Sequence, residues 1–183
     1  GRFPPSHRHF RDARLIEELE GTSRFAVDTE TTSLDVMSAD LVGISISPSP
    51  GEAYYIPVGH DEDERKQLSL GLVREQLGPV LLNDGCKVFH NAKFDMIVLK
   101  HHGLPVEGPC IDTMIAAWLL NPSGRGIGLK EQAWQRLGIE MTPIEKLIKK
   151  GRQELTMAQV SIAEAAPYAC ADADMTLRLS GIL

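Results

Sequence analysis

The pattern of hydrophobic and polar positions divides the chain into a strand-rich first half and a helix-rich second half. Short apolar stretches at 24–29, 41–47 and 52–59 predict three strands. The turn sequence PSPG separates the second stretch from the third, which favours an antiparallel meander. A fourth apolar stretch, at 86–91, predicts a buried strand of the same sheet.

Longer stretches with a helical spacing of apolar residues predict the surrounding helices. They are expected at 15–20, 65–83, 92–103, 112–121, 129–138 and 143–151, with a loop at 122–128. The sequence TMAQ at 156–159 has the spacing of a capping box. Pro167 interrupts the last helical stretch, so the final long helix is expected to begin near this proline, which a first turn tolerates.

These elements predict an α/β fold in which a mixed sheet, antiparallel over its first three strands, is surrounded by helices. A chain of 183 residues suits one domain with a sizeable core. We expect that domain at 13–183, preceded by a flexible tail at 1–12. Because the sequence does not begin with Met, it is expected to be part of a longer protein.

Composition and charge argue against several classes of protein. The chain is 43% hydrophobic, but it has no apolar run of the roughly 18 residues that a membrane span requires and no signal peptide at its start. Its net charge of −6 argues against nonspecific binding of nucleic acid, although it leaves room for a local basic groove. Most basic residues are expected to be solvated, both the cluster Lys146, Lys149, Lys150 and Arg152 and the scattered Lys93, Arg125 and Lys130.

The three cysteines lack the spacing of a metal site. Cys86, Cys110 and Cys170 lie far apart along the chain. We expect them to be reduced core residues of an intracellular protein.

Three groups of residues carry candidate chemistry, and each has an ordinary structural explanation when taken alone. Asp28 and Glu30 alternate along a predicted strand and point to one face, either as a cation site or as solvated carboxylates. Asp95 lies near the start of a predicted helix, where the helix dipole favours an acid. Tyr168 and Asp172 are four residues apart and share one helix face, although the tyrosine is also explained as a core aromatic.

Two further polar residues are expected to have structural roles. Asn91 stands where a helix N-cap is predicted. Asp174 is rotated by roughly 200° from Asp172 around the last helix and is expected to be solvated.

The order of the candidate groups along the chain resembles that of the DEDD 3′–5′ exonucleases. D-x-E on the first core strand precedes an Asp after N-x-K-F and Y-x-x-x-D on a late helix, the pattern of the subclass with Tyr. The other subclass has His five residues before the last Asp, where this chain has Pro167. From about residue 24 onward, the chain is most similar to the proofreading domain of bacterial family A DNA polymerases, of the DNA polymerase I type. The segments that carry this similarity are FAVDTETTSLD, LVGISIS, AYYIPVGHD, VFHNAKFD, DTMIAAWLLN and LTMAQVSIAEAAPYACADADMTLRL.

The resemblance implies a ribonuclease H-like fold and hydrolysis of phosphodiesters with two divalent cations about 3.5–4 Å apart. Mg²⁺ or Mn²⁺ is expected, with Zn²⁺ as an alternative at one site, and the implied ligands are Asp28, Glu30, Asp95 and Asp172. Asp28 is implied to bridge the ions. Glu30 and Asp172 complete the site that generates the nucleophile, and Asp95 supports the second ion directly or through water. Tyr168 is implied to orient the attacking water.

The resemblance also implies a substrate and partners. Contacts with the 3′ end of single-stranded DNA are expected from Thr31, Leu34, Asn91, Lys93, Phe94 and Arg125. Leu34 matches a residue that wedges against the terminal bases, and Arg125 matches one that reaches the phosphates. The expected partner is a polymerase domain in the parent chain. The protein is expected to be a monomer without membrane contact, in the bacterial cytoplasm at the nucleoid.

Two alternatives remain open. A ribonuclease D-type RNA exonuclease has the same four acids and the Tyr, but DTETTSLD and the AYYIPVGHD strand follow the polymerase branch. A catalytically weak scaffold or DNA-binding module is the other alternative. The intact set of carboxylates argues against it.

Overall fold

The computed structural model describes residues 6–9, 13–62, 64–151 and 153–183. Within these ranges, one mixed sheet contains the strands β1 (Ser6–His9), β2 (Arg24–Thr31), β3 (Leu41–Ser49), β4 (Glu52–Pro57), β5 (Cys86–Phe89) and β6 (Cys110–Asp112). Their order across the sheet is β1–β4–β3–β2–β5–β6. β2, β3 and β4 are antiparallel, as predicted, whereas β1, β5 and β6 each pair in parallel with a neighbour.

Helices cover both faces of this sheet. In the described part of the chain they are α1 (Ala13–Gly21), α2 (Leu70–Leu82), α3 (Ala92–His101), α4 (Thr113–Leu120), α5 (Leu129–Gln132), α6 (Glu145–Ile148) and α7 (Ile162–Leu179). A π-helical turn at Ala133–Leu137 continues α5, and short 3₁₀ turns lie at Glu64–Lys66 and Met157–Gln159. The described helices include none with the length and apolar character that crossing a bilayer requires.

The alternation of side chains along β2 separates two hydrophobic layers. Phe25 and Val27 are fully buried in a cluster with residues of α1, α2 and α3. Ala26 points the other way and packs with Leu177 of α7. Because side chains of a strand alternate between faces, Asp28 and Glu30 share the face of Ala26 and are turned towards α7.

A glycine on β3 makes room beside the end of β2. Gly43 pairs with Glu30 across the sheet, and a Cβ atom there would overlap the ring of Tyr55. Tyr55 therefore lies across Gly43, where its hydroxyl is 2.7 Å from Nε2 of His60. The imidazole Nδ1 is in turn 2.8 Å from the carbonyl oxygen of Val160.

The last helix begins earlier than predicted. α7 starts at Ile162 because Ser161 caps it, with its side chain accepting a hydrogen bond from the backbone N–H of Glu164. Pro167 lies inside the helix, so the prediction that the helix begins near it was wrong. The proline removes one backbone hydrogen bond, but buried residues such as Ala165 and Ala169 hold this part of the helix against the sheet.

The predicted capping box at the preceding turn is confirmed, between Thr156 and Gln159.

Other differences reflect contacts that are distant in sequence. The predicted helix 143–151 is shorter, since α6 gives way to the small hairpin of β7 (Lys149–Lys150) and β8 (Gln153–Glu154). β6 was not predicted. Asp174 is not solvated: it is 3% exposed, and its carboxylate accepts hydrogen bonds from the backbone N–H of Gly51 at 2.7 Å and from Nε of Arg178 at 2.9 Å.

The N-terminal stretch and the cysteines also differ in part from the predictions. Ser6–His9 forms strand β1 within the stretch predicted to be a flexible tail, and the rest of 1–12 lies outside the described residues, as does Arg152. All three cysteines are free. Cys170 is buried as expected, but Cys86 is partly buried and Cys110 is exposed.

Candidate active site

Three carboxylates meet where β2 faces α7. Asp28, Glu30 and Asp172 each offer an oxygen atom, and these atoms all lie within 4.8 Å of one another. Glu30 is 6% exposed and Asp172 8% exposed, whereas Asp28 keeps more of its surface in contact with solvent. We call these three residues the carboxylate cluster.

The electrostatics of the carboxylate cluster favour a bound cation. Burial raises the pKa of Asp28 well above its ordinary value, and the surrounding carboxylates raise it further. Burial also raises the pKa of Glu30 well above its ordinary value, and Asp172 adds to this. Carboxylate oxygens are the ligands preferred by hard divalent cations such as Mg²⁺ and Mn²⁺, so this donor set fits such a metal.

Asp95 lies beside the cluster but outside the group of three. Its Oδ1 accepts hydrogen bonds from the backbone N–H of Thr29 at 3.1 Å and from the Thr29 hydroxyl at 2.6 Å. Thr29 lies between Asp28 and Glu30 on β2, so these hydrogen bonds hold the Asp95 carboxylate next to the part of the strand that carries the two acids. Burial raises the pKa of Asp95 to about 7, while the two hydrogen bonds from Thr29 act to lower it.

Tyr168 lies one helical turn before Asp172 on α7, as predicted. Burial raises the pKa of Asp172, while Lys130 and the neighbouring Tyr168 hydroxyl act to lower it. Burial and the negative charge of Asp172 raise the pKa of Tyr168 far above its ordinary value. The phenol is therefore neutral at physiological pH, and it can orient a water molecule by hydrogen bonding without removing its proton.

Lys130 completes the described polar contacts around Tyr168. Its Nζ lies 3.2 Å from the tyrosine hydroxyl and 3.4 Å from Oδ2 of Asp172. Its positive charge lowers the pKa of Asp28, Glu30 and Asp172, against the larger effect of burial. The prediction that Lys130 is a solvated surface charge was wrong, because α5 packs against α7 and places the side chain in the site.

Asp112 fixes the start of the helix that carries Asp95, a role that no local sequence pattern indicates. Its carboxylate accepts from the backbone N–H of Asn91 at 3.1 Å and of Ala92 at 2.8 Å, at the start of α3. The same carboxylate caps α4 through the N–H groups of Met114 and Ile115. Asn91 occupies the N-cap position in a left-handed conformation, with φ of 75°, but its side chain makes no capping hydrogen bond.

A small pocket of about 140 Å³ adjoins the tyrosine side of the carboxylate cluster. Its walls come from α6, α7 and the segment before α6: Thr142, Leu147, Glu164, Pro167, Tyr168, Ala171 and Asp172. Tyr168 and Asp172 therefore both lie in the wall of this pocket.

Comparison with known proteins shows the family of this chain. A model of the 3′–5′ exonuclease family matches residues 8–183. DNA polymerase I of Chloroflexus aurantiacus is 44% identical over 184 residues, an alignment that covers 97% of this chain. The chain belongs to the 3′–5′ exonuclease family of DNA polymerase I. It spans only 19% of the length of the Chloroflexus relative.

Solved structures agree with the predicted ribonuclease H-like fold of the exonuclease. Brucella melitensis NrnC with bound Mg²⁺ has a TM-score of 0.69 at 23% identity, and the match covers 96% of this chain and 77% of that one. Escherichia coli RNase D, an exoribonuclease, has a TM-score of 0.70 at 19% identity, with 97% and 44% covered. At these identities the likeness shows the fold alone. The DNA polymerase I relatives do not favour the alternative of an RNase D-type RNA exonuclease.

The predicted substrate contacts of the exonuclease differ in their exposure. Leu34 is 90% exposed in the loop after β2. Asn91, Lys93 and Arg125 are also exposed, and Thr31 is partly exposed. Phe94 is different, because it packs in part against the main hydrophobic layer. Their roles towards a substrate stay predictions.

Proposed function

We propose that this chain removes nucleotides from the 3′ ends of single-stranded or frayed DNA by hydrolysis with two divalent cations. The observation that carries the proposal is the carboxylate cluster, with three oxygens within 4.8 Å of one another on a member of the 3′–5′ exonuclease family. The likeness to DNA polymerase I supports a proofreading role.

The four acids would hold the cations. By the family resemblance, Asp28 would contact both ions, and its position beside Glu30 and Asp172 in the carboxylate cluster supports this assignment. Asp95 is assigned to the second ion, directly or through water. The cations, when bound, supply an activated water and stabilise the charge on the leaving 3′ oxygen.

The protein itself orients the reactants. The neutral phenol of Tyr168 would hydrogen-bond the attacking water and fix its direction. Exposed Leu34 would wedge against the terminal bases, and exposed Arg125 would contact phosphates from a loop flanked by glycines. Thr31, Asn91, Lys93 and Phe94 are the remaining candidate contacts. Selectivity for frayed ends would come from the cost of unpairing and from stacking rather than from base reading.

The metal, the partner and the location complete the proposal. Mg²⁺ or Mn²⁺ suits the all-oxygen donor set, and Zn²⁺ is the alternative at one position. The partner is a polymerase domain in the parent chain, which would work as a monomer on DNA of the bacterial nucleoid, in the cytoplasm.

A trimming assay tests this function against its alternatives. Single-stranded DNA and RNA labelled at the 5′ end are incubated with Mg²⁺, Mn²⁺ or a chelator. The variants are Asp28→Ala and, as a matched control, Asp84→Ala, which changes an exposed acid away from the cluster. We expect a ladder of shortened DNA that disappears with chelator and with Asp28→Ala but not with Asp84→Ala. Preferential trimming of RNA would favour the RNase D alternative, and no trimming with any metal would favour the scaffold.

A further inference from the structure

Lys130 directly contacts two residues of the candidate active site, Tyr168 and Asp172. Its ammonium lies 3.2 Å from the Tyr168 hydroxyl, 3.4 Å from Oδ2 of Asp172 and 4.7 Å from the centre of the tyrosine ring. Only 30% of the lysine side chain is exposed. An exposed surface lysine makes an ion pair of little consequence. Here, an ion pair, a hydrogen bond and a cation–π contact converge on the two α7 residues that face the carboxylate cluster.

Lys130 determines which of the three groups donates in the observed contacts. An ammonium group only donates, so Lys130 donates to the phenol oxygen and to the carboxylate. A phenol oxygen that accepts from the ammonium keeps its own hydrogen free to donate on the side away from Lys130. Each group limits the movement of the other two, and Lys130 is the one that comes from a different helix.

We propose that Lys130 is a positioning residue: it fixes the phenol of Tyr168 relative to Asp172, so that the hydroxyl is aimed at the attacking water. This inference rests on the proposed function, which assigns the water to Tyr168. Lys130 also opposes the binding of cations, because its charge already balances part of the negative charge of the carboxylate cluster and it contacts a carboxylate that the cations need.

Removal of Lys130 therefore has two consequences of opposite sign. Hydrolysis becomes slower because Tyr168 is no longer held. Divalent cations bind more tightly because one competing positive charge has gone. A general loss of structure would weaken both properties, so the combination is diagnostic for the proposed role.

The test compares Lys130→Met with Lys130→Arg and with Lys100→Met, which removes an exposed charge on α3. Two quantities are measured: kcat and KM on single-stranded DNA, and the Kd of Mn²⁺ by calorimetry without DNA. For Lys130→Met we expect kcat to fall about tenfold with KM nearly unchanged, and the Mn²⁺ Kd to decrease about tenfold, the scale of one charge-assisted contact. Lys130→Arg should restore most of kcat, and Lys100→Met should change neither quantity.

A double variant shows whether the lysine acts through the tyrosine. In a Tyr168→Phe background, Lys130→Met should lower kcat by less than about threefold, because coupled residues are not additive. An equal loss in both backgrounds would overturn the positioning role, and so would an unchanged kcat and Mn²⁺ Kd in Lys130→Met. If Lys130→Met does not fold, as judged by circular dichroism, Lys130→Gln replaces it in the same comparisons.

Failure of the proposed exonuclease function and failure of the proposed role of Lys130 give different results. If the wild-type protein trims no DNA with any metal, the proposed function fails. The calorimetry still tests whether Lys130 competes with cations at the carboxylate cluster. In that case a tighter Mn²⁺ Kd for Lys130→Met supports the inferred competition, and an unchanged Kd rejects it.

Discussion

Thr29 stabilises the ionised form of Asp95, so replacing it with Val should make the stability of the fold depend more steeply on pH. The substitution keeps the shape of the side chain and removes one donor, the hydroxyl that lies 2.6 Å from Oδ1 of Asp95. The backbone N–H of Thr29 remains as the second donor. Because Asp95 is buried, the lost hydrogen bond is not replaced by one to bulk water.

The sign of the pH dependence follows from the raised pKa of Asp95, about 7 against an ordinary value of 3.8. A raised folded-state pKa stabilises the fold at pH values below the ordinary pKa, and this contribution is lost as pH rises towards the folded pKa. Thr29→Val raises the pKa further, so the loss extends to higher pH. Hydrogen bonds to charged groups contribute about 1.5–3 kcal/mol and those to neutral groups about 0.5–1.5 kcal/mol. The variant should therefore cost about 2 kcal/mol at alkaline pH and about 1 kcal/mol at acidic pH.

Urea unfolding in the presence of a chelator measures this difference, at about pH 5 and about pH 9. The matched control is Thr22→Val, which removes a hydroxyl that donates at 2.7 Å to the backbone carbonyl of Glu18. That acceptor does not titrate, so the cost of the control should be the same at both pH values. An equal cost of Thr29→Val at both pH values would refute the assigned ionisation of Asp95.

Three further predictions address the water, the helix caps and the substrate. Tyr168→Phe should lower kcat about 10- to 100-fold without a matching change in KM, because the phenol orients the water but does not bind the strand; steady-state kinetics on single-stranded DNA measure this. Asp112→Ala should lower the free energy of unfolding in urea by about 2 kcal/mol, since the carboxylate caps both α3 and α4. Leu34→Ala should slow trimming of frayed duplex ends severalfold more than trimming of single strands, because the exposed leucine side chain is proposed to separate the terminal bases. One trimming assay compares the two substrates.

Each of these predictions has a result that would contradict it. Tyr54→Phe is the control for the tyrosine, and an equal kcat for the two variants would remove Tyr168 from the reaction. Unchanged stability of Asp112→Ala would show that other groups cap both helices. Equal slowing on both DNA substrates, or the same pattern for the exposed control Leu72→Ala, would argue against a wedge at Leu34.

Local periodicity was sufficient to predict most of the sheet. The three antiparallel strands follow from apolar alternation and a short turn, both of which act between neighbouring residues. The start of α7 was missed because tertiary packing outweighs the proline at position 167. The hairpin of β7 and β8 was missed because its strands have two residues each and carry no periodic signal.

The same distinction applies to the site. Asp28 with Glu30 and Tyr168 with Asp172 could be paired from sequence, because strand and helix geometry determine which side chains share a face. Lys130 and Thr29 could not be placed, since their partners are 38 and 66 residues away. Asp174 was misjudged for a related reason, because helical rotation indicates its direction but not that the turn before β4 lies there.

Binding of Mn²⁺ to crystals of this protein is the most direct test of the carboxylate cluster as a metal site. Anomalous scattering locates Mn²⁺ without assumptions about its ligands. The account predicts anomalous peaks in contact with Asp28, Glu30 and Asp172, and their loss in Asp28→Ala crystals treated in the same way. Ordered Mn²⁺ elsewhere on the protein, with none at the cluster in the wild type, would contradict it.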